Sequence, residues 1–92
     1  MSRVARKFTI SGLVQGVGFR YFAQRAAARH QVVGYVRNLP DGRVESLVEG
    51  SQRAVDSFRE DFMTGPTYAE VVHLEEEVLD PEHRYSSFRI ER

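Results

Sequence analysis

The 92-residue chain has no cysteine, no tryptophan, only three prolines and no long apolar run. Without cysteine there is no disulfide, no thiolate metal site and no thiol nucleophile. Without about 18–20 consecutive apolar residues there is no membrane-spanning helix, and a membrane partner is not expected. The opening MSRVARKF carries no apolar stretch of the secretion-signal kind, so the cytoplasm is the expected compartment. Net charge of one sign is missing too. Thirteen basic and thirteen acidic residues cancel, which argues against a dedicated nucleic-acid binder or a polybasic membrane module.

The neutrality conceals a partition. Residues 1–40 hold Arg3, Arg6, Lys7, Arg20, Arg25, Arg29 and Arg37 and not one carboxylate, a charge of +7. Residues 41–92 hold six arginines and all thirteen acids, a charge of −7. With 41% hydrophobic residues the length suffices for one domain, expected over 5–92, with a small core. There are no repeats, linkers or low-complexity stretches.

Residues 4–13 alternate, with Val4, Arg6, Phe8 and Ile10 on one side, which predicts a half-buried strand. A glycine-punctuated loop, 14–19, leads into a predicted helix over 20–30 with alanines at 23, 26, 27 and 28. Residues 32–38 read as a second strand, and Leu39-Pro40-Asp41-Gly42 as a turn. A third strand over 43–49 sets Val44, Ser46 and Val48 against Glu45, Leu47 and Glu49. Ser51 is then the N-cap of a helix to about residue 63, buried through Ala54, Val55, Phe58 and Phe62 and stopped by Gly65-Pro66. A fourth strand over 69–79 ends in a solvated Glu75-Glu76-Glu77, a turn follows at 80–82, and a short strand at 87–91 closes the chain.

The order β-α-β-β-α-β predicts an α+β, ferredoxin-like sandwich: one antiparallel sheet of four strands plus a short fifth, two helices on one face, and a wetter opposite face.

The chemistry concentrates in Gly12-Leu13-Val14-Gln15-Gly16-Val17-Gly18-Phe19-Arg20. Glycines between a strand and a helix N-terminus let successive N–H groups curl inward, an anion-binding arrangement reinforced by the helix dipole. Arg20 adds a guanidinium fork that matches phosphate or carboxylate. Walker A fails because no Gly-Lys-Ser/Thr follows at its spacing, and the dinucleotide fingerprint fails because Tyr21 stands at its third glycine. GVGFRYF is similar to the RNP1 core of RNA-recognition domains, but RNP1 belongs on a third strand and this motif ends the first.

VQGVGFR at 14–20 together with GYVRNLPDG at 34–42 closely resembles the acylphosphatase family, and the likeness runs from about Ala5 to Arg92. The resemblance implies hydrolysis of the carboxyl-phosphate bond of small acyl phosphates without cofactor or metal. It makes Arg20 the residue that grips the phosphoryl oxygens and Asn38 the one that orients the attacking water. It makes the backbone N–H groups of Gln15, Gly16, Val17, Gly18 and Phe19 the phosphate cradle. Inorganic phosphate is then product and competitive inhibitor, no nucleic acid is involved, and a free-standing monomer is expected.

The chain departs from the family pattern at Leu13, where arginine is usual, and at Tyr35, where tryptophan is common. The first departure touches substrate affinity more than mechanism. For Asn38 the plain alternative is a turn-capping side chain before Leu39-Pro40. Tyr21 and Tyr35 either line the acyl pocket or pack at the core edge, and Arg37 should point away from the site. His30 reads as the polar end of a helix, and His73 and His83 share no metal-ligand spacing with it.

Overall fold

The computed structural model describes residues 2–92. The elements follow in the order β1 (Arg3–Leu13), α1 (Phe19–His30), β2 (Val33–Asn38), β3 (Val44–Ser51), α2 (Gln52–Thr64), β4 (Glu70–Leu79) and β5 (Phe88–Glu91). They build one five-stranded sheet in the order β4-β1-β3-β2-β5 with both helices on one face, the ferredoxin-like α+β arrangement. No helix among the described residues is long and apolar enough to cross a membrane.

Pairing is antiparallel for β1 with β3, β1 with β4, and β2 with β3. The expectation of a wholly antiparallel sheet needs one correction: β5 pairs with β2 in parallel. The cause is the segment between β4 and β5. Residues 80–87 form no tight turn; they pass from one edge strand of the sheet to the other. They do so beyond the end where β4 finishes and β2 starts, so β5 sets out in the direction of β2.

Because β3 is antiparallel to both β1 and β2, those two strands run the same way and end on the same side of the sheet. β5 ends there too. This topology gathers the loop after β1, Asn38 at the end of β2, and the residues following β5.

The core lies between sheet and helices. Phe8, Ile10, Val36, Val44 and Val48 from the strands meet Phe19, Ala23, Ala26 and Ala27 of α1 and Val55, Phe58 and Phe62 of α2. Each buried phenylalanine contributes about 1.5–3 kcal/mol through removal from water. Alanines on the inner face of α1 keep that helix close to its neighbours. Ser51 caps α2 as expected, its hydroxyl accepting from the Ala54 N–H at 3.1 Å.

The face away from the helices is less open than the alternation predicts. Glu45 and Glu49, expected on a wet surface, are 7% and 2% exposed. Glu49 accepts from Arg3 at 3.3 Å and from the backbone N–H groups of Glu82 and His83 at 3.4 and 3.2 Å, so the 80–87 segment straps this face. Glu45 accepts from the Tyr35 hydroxyl at 2.9 Å and from Arg37 at 3.1 Å. Buried carboxylates of this kind persist only when paired and hydrogen-bonded.

The charge partition of the sequence becomes pairing across elements. Arg6 meets Glu76 at 3.4 Å, Lys7 meets Glu77 at 3.4 Å, and Arg29 meets Asp61 at 2.8 Å. Glu76 also receives Arg59 at 2.9 Å, tying α2 to the sheet edge rather than standing alone in solvent.

Candidate active site

β1 carries a register irregularity between Ser11 and Gly12, and its last residue, Leu13, is 56% exposed where the chain turns off the sheet. Val14 is buried, and the chain then bends through residues 15–18 into α1. Gly16 and Gly18 take φ values of 75° and 78°, the left-handed region that side chains disfavour. A Cβ at either position would meet nothing within 4 Å, so backbone conformation, not crowding, demands glycine there. Phe19 anchors the far end of the loop. Its ring is buried edge-on against Phe62 at 5.3 Å and against Phe22 at 5.8 Å.

Gly18 is the N-cap of α1 and supplies no capping side chain, and the first turn holds no acid. The first helical bond outside regular ladders is from the Phe22 N–H to the Gly18 carbonyl, at 3.1 Å. Among the described residues the N–H groups of residues 15–21 have no acceptor within the protein. Unpaired donors at the positive end of a helix dipole attract an anion.

Arg20 stands in the first turn of α1. Five arginines among the described residues, Arg20, Arg25, Arg53, Arg89 and Arg92, have no carboxylate partner within 4.0 Å. Of the seven basic residues in the carboxylate-free front, Arg20 and Arg25 are therefore the two left unpaired.

Asn38 ends β2 opposite Val44. Side chains alternate along a strand, so Asn38 shares the helix-side face with Val36, while Arg37 points to the other face and pairs with Glu45. The Asn38 side chain makes no hydrogen bond within the protein among the described residues; Leu39 and Gly42 close the turn through backbone bonds instead. It is not a turn cap.

A cavity of about 100 Å³ joins these parts. Val14, Gln15, Gly16 and Gly18 ahead of α1 form one wall, Phe19, Arg20 and Tyr21 of α1 another, and Asn38 closes it. Val17, of which only the backbone N–H is expected in the cradle, does not line this cavity; its side chain packs against the core. Tyr35 is on the strapped face, bonded to Glu45, where burial and that bond push its hydroxyl above the usual tyrosine value. Of the two tyrosines named from sequence, only Tyr21 reaches the cavity.

The side chain of Gln15 was not singled out by sequence reasoning. Its amide donates to the carbonyls of Leu39 and Arg43, both at 2.9 Å, and so fastens the loop to the hairpin that follows Asn38. The two carbonyls lie 24 and 28 residues downstream, beyond the reach of any local pattern. His30 is likewise structural, its Nε2 lying 2.7 Å from Asp61 Oδ2 of α2. No group of three His, Cys, Asp or Glu able to hold a metal occurs among the described residues.

Comparison with known proteins places this geometry in context. Residues 6–90 match the Acylphosphatase family. An acylphosphatase of Actinobacillus succinogenes is 44% identical over 89 residues, covering 97% of this chain and 99% of that protein. One from Acaryochloris marina is 50% identical over 78 residues, covering 83% and 84%. The crystal structure of acylphosphatase from Bacillus subtilis superposes with a TM-score of 0.93 at 35% identity, covering 97% and 99% of the two chains.

Proposed function

The chain belongs to the acylphosphatase family and is an enzyme of acyl phosphate hydrolysis, and from that premise we propose that the loop at 15–19, Arg20 and Asn38 perform the reaction without a metal. The observation that carries this reading is the small cavity in which the loop, Arg20 and Asn38 meet.

The substrate enters with its phosphoryl group against the N–H groups of Gln15, Gly16, Val17, Gly18 and Phe19 and against the Arg20 fork. Water attacks phosphorus in line, the bond from phosphorus to the acyl oxygen breaks, and the carboxylate departs with the bonding pair. A carboxylate is a weakly basic leaving group, so no strong general acid is needed. The transition state is loose, with charge spread over the equatorial phosphoryl oxygens, where preorganised donors stabilise it most.

Asn38 has no proton-accepting group of useful basicity at neutral pH. Its amide holds the water on the side opposite the leaving group, and the water's proton passes to a phosphoryl oxygen. The absence of any other hydrogen bond to the Asn38 side chain among the described residues leaves it available for that task. Inorganic phosphate, the product, occupies the same cradle and competes with substrate.

Phosphate release from acetyl phosphate and benzoyl phosphate, measured with EDTA in excess, tests the reading. Turnover at an undiminished rate is expected. Activity that vanishes with the chelator would sink the metal-free mechanism, and phosphate binding without turnover would reduce the site to an anion sensor.

A further inference from the structure

Tyr21 follows Arg20 in the first turn of α1, and it is 69% exposed. Among the described residues its side chain makes no hydrogen bond and its ring pairs with no other ring. Tyr35, by contrast, is spent on the fold: its hydroxyl donates to Glu45 at 2.9 Å and its ring lies 6.1 Å from that of Tyr85. A single exposed aromatic is ordinary on a protein surface. The position of Tyr21 is what sets it apart.

A larger cleft of about 590 Å³ adjoins the small cavity, and Arg20 and Tyr21 line both. Asn38 lines only the small cavity, whereas Ile90 and Arg92 line only the cleft. The in-line course of the reaction distinguishes the two spaces. With the phosphoryl group in the small cavity and the water at Asn38, the bond to the acyl oxygen points away from the water. The acyl group therefore leaves away from Asn38, and the cleft is the neighbouring space that Arg20 and Tyr21 border and Asn38 does not.

We propose that Tyr21 is a specificity-determining residue whose ring packs against the acyl group where the small cavity opens into the cleft, favouring acyl phosphates with a flat apolar body over those with a methyl group alone. The inference rests on the assignment of the smaller cavity to the phosphoryl group. Contact between two aromatic rings removes apolar surface from water and adds an offset-stacked or edge-on attraction, while an acetyl methyl covers little of the tyrosine face. The ring performs this role, not the hydroxyl. The body of the acyl group does not react, so the contribution belongs to KM and not to kcat.

Initial rates with acetyl phosphate and benzoyl phosphate, taken on the native enzyme, Tyr21→Phe and Tyr21→Ala, test the role. The intrinsic reactivities of the two compounds are the same for every variant, so they cancel when the benzoyl-to-acetyl ratio of kcat/KM is compared across variants. Tyr21→Phe is expected to keep the native ratio. Tyr21→Ala is expected to lower it about three- to tenfold, the range of an aromatic pair, through the KM of benzoyl phosphate. Added salt should leave the ratio in place, because the contact carries no charge. A ratio unchanged in Tyr21→Ala overturns the proposal, and weaker inhibition by inorganic phosphate in that variant would then show Tyr21 serving the small cavity instead. A fall of the same size in Tyr21→Phe overturns it too, because the hydroxyl would be acting. If the native enzyme releases phosphate from neither compound, the acyl phosphate reading of the cavity fails first and the role of Tyr21 falls with it.

Discussion

The side-chain amide of Gln15 donates to the main-chain carbonyl of Leu39 at 2.9 Å, and the same nitrogen reaches the carbonyl of Arg43 at 2.9 Å. Leu39 and Arg43 are themselves joined, the Leu39 N–H donating to the Arg43 carbonyl at 2.8 Å. One amide thus fastens the loop before α1 to both sides of the hairpin next to Asn38. The clasp thereby ties the loop that leads to Arg20 to the hairpin that follows Asn38.

Gln15→Ala is expected to lower stability by about 1–2 kcal/mol, since two carbonyls lose a donor, and to lower kcat as the two halves of the site drift. Gln15→Glu should be worse than Gln15→Ala at neutral pH, because a carboxylate sets acceptors against two carbonyls. Urea denaturation and kcat measured on both variants check the order. Equal behaviour of the two would mean that the hydrogen bonds matter less than the packing of the stem.

Arg20 and Asn38 should separate cleanly in kinetics. Arg20→Ala loses a preorganised donor and is expected to cost at least about 10²–10³ in kcat/KM while weakening inhibition by inorganic phosphate. Asn38→Ala should collapse kcat with phosphate inhibition nearly unaltered, because the proposed partner of its amide is water and not the phosphoryl group. Competitive inhibition constants measured beside turnover discriminate the two. Substantial activity in Asn38→Ala would remove the water-positioning role.

Glu49 lies near the end of the sheet opposite the site and holds both Arg3 and the strap at 82–83. Glu49→Ala leaves two backbone N–H groups without their acceptor and is expected to destabilise the fold by about 1–3 kcal/mol. Turnover per folded molecule should be preserved. Thermal denaturation shows the first effect, and initial rates below the transition show the second.

Tyr35 sets an alkaline limit. Burial, and then its hydrogen bond to Glu45, raise its hydroxyl above the ordinary value of 10.0. The folded protein keeps this proton where the unfolded chain has lost it. The associated stability is fully present below about pH 10 and is lost as pH rises toward and through the folded value. Tm measured from pH 8 to 11.5 should fall more steeply in the native protein than in Tyr35→Phe. Parallel slopes would show that other groups carry the alkaline loss.

The element boundaries were largely legible because they rest on short-range signals. Ser51 as a cap, the glycines at 16 and 18, the alanine face of α1 and the Leu39–Gly42 turn each act within a few residues of themselves. Arg20 and Asn38 each stand in a contiguous motif whose likeness to a known family suggested a role for them, and the structure brings both to one cavity. The parallel direction of β5 was not legible. Alternation at Phe88 and Ile90 tells which face is buried, but a period of two is the same in either direction, and only the course of residues 80–87 decides it.

Charge shows the same division. The sequence by itself determined that the front is cationic and the back anionic. It did not determine which cations remain free. That was decided by tertiary pairing of Arg3, Arg6, Lys7, Arg29 and Arg37 with acids 8 to 70 residues away, which leaves Arg20 unmatched at the cavity. Glu45 and Glu49 were assigned to a wet face because their spacing is that of a polar strand side; the strap and their basic partners, distant in sequence, turned that side inward. Local conformation depends on neighbours along the chain, whereas the fate of a charge depends on what the fold brings within about 4 Å of it.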